Sequence, residues 1–170
     1  MDILKAATDW AKAELISTPF FMLAGLAFLA ISFGFWQVGK TDLAKAYIIP
    51  CLVAGALLLI IGLGLFFTNK TRVSQFEKAY TENAAAFVDA ELERAEATLK
   101  EYQNVVFRGI PIIILICALL LIFLPQPGWR ASLITSIAML SLILMIDGLA
   151  HARIEVYKQQ LLEAKEMQKP

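Results

Sequence analysis

Asp147, His151 and Glu155 stand four residues apart, so on a helix they share one face. They carry the most suggestive chemistry in the chain. His151 is the single histidine among 170 residues. An imidazole one turn from a carboxylate can relay a proton or help hold a cation at ordinary pH. Upstream, Ser132, Thr135 and Ser136 place hydroxyls on the same long apolar stretch. Together these six residues outline an ion or proton pathway, with Asp147 and His151 at its inner mouth. The same residues also read as an interfacial ion pair or a hydrogen bond to a neighbouring helix, with Arg108 at similar depth. Ionisable groups at membrane depth are costly and face the protein interior. No further carboxylate or polar ladder continues the path, since the second and third apolar blocks hold little polar besides Cys51 and Cys117. A pore built from such helices therefore needs several copies of the chain around an axis.

Other chemistry is excluded by what is missing. Two cysteines inside apolar runs and one histidine do not make a metal site or a disulfide framework. No phosphate-binding loop, nucleophile elbow or metalloprotease motif occurs. The expectation is a non-enzymatic protein with no catalytic residues, no metal and no cofactor.

The elements that would position these residues follow from composition and periodicity. The chain is 59% hydrophobic, with 15 basic and 15 acidic residues balancing to zero. Such a chain is too apolar for an ordinary soluble domain. The charge balance gives no basic footprint for nucleic acid. Four apolar blocks, residues 19–38, 47–67, 105–124 and 129–149, are each long enough to cross a hydrocarbon core of roughly 30 Å. They are solid runs rich in Leu and Ile, without the alternation of barrel strands. Short connections pair them into two antiparallel hairpins, 19–67 and 105–149. The fold class expected is all-α: an integral membrane four-helix bundle with helical extensions. Trp36 and Trp129 fall at one end, as an aromatic belt requires. Gly109 and Pro111 predict a kink where the third crossing begins.

Residues 1–18 place Ile3, Leu4, Ala7, Trp10, Ala11 and Leu15 on one helical face. That suits an amphipathic helix lying in the headgroup region with Trp10 as anchor. Ser17-Thr18-Pro19 reads as the boundary before the first crossing. The N-terminal, central and C-terminal polar segments hold eleven of the fifteen Lys and Arg, and Arg108 beside the central segment makes twelve. By count this excess predicts both termini in the cytoplasm, although the short connections are at least as basic per residue. A bacterial inner membrane is the expected setting.

The central polar segment, 68–104, carries the stripe Val73, Phe76, Tyr80, Ala84 and Phe87. A second stripe, Val88, Leu92, Ala95, Leu99 and Tyr102, is displaced by one residue. A single straight rod of roughly 50 Å cannot rejoin two neighbouring crossings. The shift lies beside the capping residues around Asn83, so a helical hairpin turning near residues 81–86 is expected. Residues 150–170 extend the fourth crossing as a further helix able to pack beside it. Phe76, Tyr80, Phe87, Leu92, Leu99 and Tyr102 are the expected interaction surface. The expected partners are the lipid bilayer and another membrane or cytoplasmic protein, or copies of the same chain. The functional expectation is an interaction or accessory subunit, with the oligomeric channel as its alternative.

Overall fold

A computed structural model describes residues 2–167. Met1 and the last three residues of the expected C-terminal helix lie outside them. The described residues form only helices and short connections: α1 Ile3–Val38, α2 Asp42–Ala46, α3 Ile48–Glu82, α4 Ala84–Glu101, a π-helical segment Tyr102–Gly109, α5 Ile110–Phe123 and α6 Pro127–Met167. Among them, four helical runs are long and apolar enough to cross a membrane, by length and composition. This is consistent with a multi-pass membrane protein.

α1 does not stop at Ser17-Thr18-Pro19, where the sequence suggests a boundary. Proline cannot donate to the carbonyl four residues back. That carbonyl, Leu15 O, accepts instead from the Thr18 hydroxyl at 3.0 Å, and Ser17 Oγ donates to Ala13 O. The two hydroxyls that look like caps thus repair the helix from within. The N-terminal amphipathic segment and the first apolar block are one rod of 36 residues.

Each long helix is apolar at one end and charged at the other. In the apolar half, α1 and α3 run antiparallel and approach most closely at Gly25 and Gly55. A Cβ on Gly55 would sit 2.8 Å from Gly25 O, and one on Gly25 would sit 2.9 Å from Gly55 O. Only glycine permits this backbone contact. Gly34, nearer the end of α1, has open space around it. Ser32 Oγ donates to Ile48 O at 2.7 Å and ties the same pair near the short connection. α6 packs on α1 and α3 through Phe21, Leu58, Met139, Leu142, Ile143 and Ile146. α5 packs on α6 but makes no packing contact with α1 or α3.

In the charged half, α3 ends at Asn83, whose side chain accepts from Ala86 N at 3.0 Å and caps α4. The chain reverses there, and α4 returns alongside α3. The start of α1 and the end of α6 complete a second four-helix bundle. Its core is Ile3, Ala7, Trp10 and Ala11 with Phe76, Phe87, Val88, Leu92, Ala95, Ile154, Tyr157, Leu161 and Ala164.

Two expectations are corrected by this packing. Trp10 is not an interfacial anchor: it is 7% exposed, inside the bundle. An amphipathic face seeks any apolar cover, and three other helices supply it here. The expected interaction surface is also turned inward. Phe76, Phe87 and Leu92 are buried, and Tyr80, Leu99 and Tyr102 pack against the same core.

Candidate functional site at the junction of the two halves

Where the halves meet, five contacts cluster. Trp10 stacks on Tyr157 with ring centroids 5.1 Å apart and planes nearly parallel. The Arg94 guanidinium lies over Trp10, 4.4 Å from its centroid. Arg94 also donates twice to Glu91, from Nε to Oε1 and from Nη2 to Oε2, and Tyr157 Oη donates to Glu91 Oε2 at 2.9 Å. Glu91, 8% exposed, thus receives three charge-assisted or hydroxyl donors from two helices. Arg153 Nε donates to Glu14 at 2.9 Å and links α6 to α1. All but the Arg94–Glu91 pair, which lies within α4, join elements distant in sequence, and burial of the charges is tolerable only because they are matched.

Electrostatics divide this junction. Burial lowers the Arg72 pKa, and the Arg94 cation lowers it further, against the opposing pull of Glu91, Glu14 and Tyr157. Arg72 donates from Nη1 to Asn69 Oδ1 at 3.1 Å. Among the described residues it has no carboxylate within ion-pair distance. Tyr102 shows the opposite environment. Burial raises its pKa, then the carboxylates Asp147 and Glu14, with Arg153 opposing. The surroundings of Arg72 thus include Arg94, Glu91 and Glu14, and those of Tyr102 include Asp147, Glu14, Glu101 and Arg153.

A cavity of about 480 Å³ opens here. Its polar lining includes Glu14, Asn69, Arg72, Arg94, Glu101 and Asp147. Its apolar wall includes Ile61 and Leu65 of α3, and Val105 and Val106 of the π-helical segment. Ile61, Leu65 and Val105 are themselves exposed, so this wall opens outward between α3 and the π-helical segment that leads into α5. The π-helical segment stands where the sequence predicts a kink. Pro111 lacks the donor that would continue the α ladder, and the Ile110 N–H reaches back to Val105 O instead. The widened turn carries Tyr102 and Phe107 around His151.

The residues of the expected pathway are not brought together. Asp147 lines the junctional cavity. His151 turns away, edge-on to Phe107 at 5.0 Å and to Tyr102 at 5.7 Å. With Glu155 it lines a separate shallow groove between α4 and α6. Among the described residues no ion pair or hydrogen bond joins Asp147 to His151. The four-residue spacing gives a shared face, but the aromatic pair on the π-helical segment draws the imidazole to one side of it. Ser132, Thr135 and Ser136 line a groove of about 750 Å³ at the opposite end, beside Trp129. Thr135 Oγ1 lies 3.8 Å from Cys51 Sγ, and Ser132 Oγ donates to Gly128 O. Between that groove and the cavity lies the apolar packing of Phe21, Leu58, Met139 and Ile146. Trp36 and Trp129 are 64% and 58% exposed.

Sequence reasoning passes over Arg72, Arg94, Glu91 and Tyr157 as site residues. The usable signals were Arg72 with Asn69 at the edge of the second apolar block, and Arg94 among Glu91, Glu93 and Glu96. No family model matches the chain, and no curated protein or solved structure matches it significantly.

Proposed function

We propose that the chain is a four-crossing integral membrane protein, with both terminal segments and the α3–α4 hairpin together on the cytoplasmic side. It acts by binding, as a non-enzymatic accessory subunit. One observation carries this reading: all four apolar helical runs continue into a single charged bundle, closed around the Trp10, Tyr157, Glu91 and Arg94 contacts. A rigid, charge-bearing platform joined to apolar rods suits presentation of a surface to a partner. Because the aromatic stripe is internal, the docking surface is the outer face of the hairpin, where Glu77, Lys78, Glu82 and Glu93 are exposed. Photo-crosslinking residues placed at Glu77 and Glu93 in intact membranes test it. A discrete protein adduct is expected from both positions and not from Lys40 in the short connection. Equal, diffuse labelling from all three positions would count against it.

The second reading is an oligomeric proton or cation pathway, and it keeps Asp147 because that carboxylate lines the cavity. Any such path runs between copies, since apolar side chains fill the interior of one chain. Unchanged proton flux of reconstituted protein on Asp147→Asn would remove this reading.

A further inference from the structure

The junctional cavity combines three properties that point to one kind of ligand. It is amphipathic, with a charged interior and an apolar wall that opens between α3 and the π-helical segment. Its volume of about 480 Å³ falls in the range of small-molecule sites. Its charged lining carries both signs: Arg72 of α3 and Arg94 of α4 as cations, and Glu14 of α1, Glu101 of α4 and Asp147 of α6 as carboxylates.

The balance of charge selects further. Two guanidinium groups and three carboxylates line the cavity. A purely anionic headgroup would meet a net negative lining, and a purely cationic one would leave Arg72 without an anion. Arg94 is engaged by Glu91 and Glu14 by Arg153. Arg72 therefore remains the donor free to take a phosphate, and Asp147 and Glu101 remain the acceptors free to take an amine. Trp10 adds a buried indole N–H with no partner among the described residues. Its ring is engaged by Tyr157 and Arg94, so it offers no open aromatic cage for a quaternary ammonium.

We propose that this cavity binds a zwitterionic aminophospholipid from the bilayer, its phosphate on Arg72, its primary ammonium toward Asp147 and Glu101, and its acyl chains leaving between α3 and the π-helical segment. Arginine suits the phosphate because its fork donates in parallel to two oxygens. A primary ammonium donates three hydrogen bonds to carboxylates, whereas a trimethylammonium donates none. The site would thereby separate ethanolamine from choline headgroups, which carry the same net charge. The inference goes beyond the accessory reading but rests on the chain lying in a bilayer, which compartment-specific cysteine labelling tests separately.

The test is native mass spectrometry of the full chain in mild detergent, with equimolar dioleoyl phosphatidylethanolamine and dioleoyl phosphatidylcholine, and in a second run with dioleoyl phosphatidylglycerol added to the pair. The expected result is one retained lipid per chain, with the ethanolamine lipid preferred by about tenfold, as loss of one charge-assisted hydrogen bond predicts. Arg72→Gln is expected to lower that retention by about tenfold, whereas Lys40→Gln in the exposed short connection leaves it unchanged. Soluble phosphoethanolamine at the same concentration is expected not to displace the lipid. Equal retention of the two lipids, preference for dioleoyl phosphatidylglycerol, displacement by soluble phosphoethanolamine, or full retention by Arg72→Gln would each overturn the proposal. The wild-type selectivity decides the matter alone should the variant fail to fold.

Discussion

The two halves of this chain are held together by different physics along the same helices. In the apolar half, α1 and α3 meet backbone to backbone at Gly25 and Gly55, and most large side chains of α5 face outward. In a bilayer, packing between small residues would be the main attraction available there, because lipid would cover the remaining surface as well as another helix does. In the charged half, water competes for every exposed group, and an apolar core stabilises the bundle at roughly 25 cal/mol per Å² removed from solvent. That core also contains matched charges, centred on Glu91. The apolar half is thus specified by what is absent from two glycines, and the charged half by who meets whom.

The contrast can be broken from either side. The largest effect is expected from Trp10→Ala, which removes the stacking on Tyr157 and the seat of Arg94. A loss of about 4 kcal/mol is expected, as for other buried aromatic truncations. Hydrogen exchange checks where it falls: faster exchange in residues 84–101 and 150–167, with residues 19–38 still protected. Glu91→Ala follows, because it leaves the Arg94 cation and the Tyr157 hydroxyl buried without their acceptor; about 3 kcal/mol is expected from breaking such a pair. Denaturant titration of the purified protein measures both.

On the apolar side, Gly55→Val drives a branched side chain into Gly25 O and Leu29. Overpacking of this kind costs about 2–3 kcal/mol, and the loss should appear in residues 19–67 first. Gly64→Ala, on the same helix with nothing within 4 Å, is its control and is expected to be neutral. Tyr157→Phe sharpens the comparison with a smaller perturbation, removing one hydrogen bond to a buried carboxylate at a cost of about 1.5 kcal/mol.

The same residue gives a dependence on pH. Burial first, then the Glu91 charge, raises the Tyr157 pKa above its ordinary value. The unfolded chain then loses this proton before the folded chain does. The contribution is complete below about pH 10 and declines as pH rises beyond it. Melting temperature should therefore fall more steeply above pH 10 in the wild type than in Tyr157→Phe.

How much of this was legible in the sequence differs between the halves for the same reason. Solid apolar runs announce four long apolar helices, because nothing else keeps twenty such residues together. Asn83 carries its own signature, a capping side chain beside a one-residue shift of the stripe. Burial of Trp10 was not legible. Periodicity defines an apolar face without saying whether lipid or protein covers it. Ser17-Thr18-Pro19 misled because a hydroxyl can cap a helix or repair one, and the local residues are identical in both cases. The meeting of Glu91 with Tyr157, 66 residues away, has no local pattern at all. Asp147 and His151 stand out as ionisable groups at the edge of an apolar block, but their spacing could not reveal the aromatic pair that separates them. The Gly109-Ile110-Pro111 stretch signalled a backbone irregularity without indicating that the turn widens.

The central claim is that the hairpin apex shares one side of a membrane with both terminal segments, opposite both short connections. Single cysteines at Asn83, Lys40 and Gln126, in a background with Cys51 and Cys117 replaced by alanine, test it most directly. Intact bacterial cells expressing each variant are treated with a membrane-impermeant maleimide. The account predicts that Lys40→Cys and Gln126→Cys react from outside, while Asn83→Cys reacts only after permeabilisation. Reaction of Asn83→Cys from outside, or of all three positions alike, would contradict it.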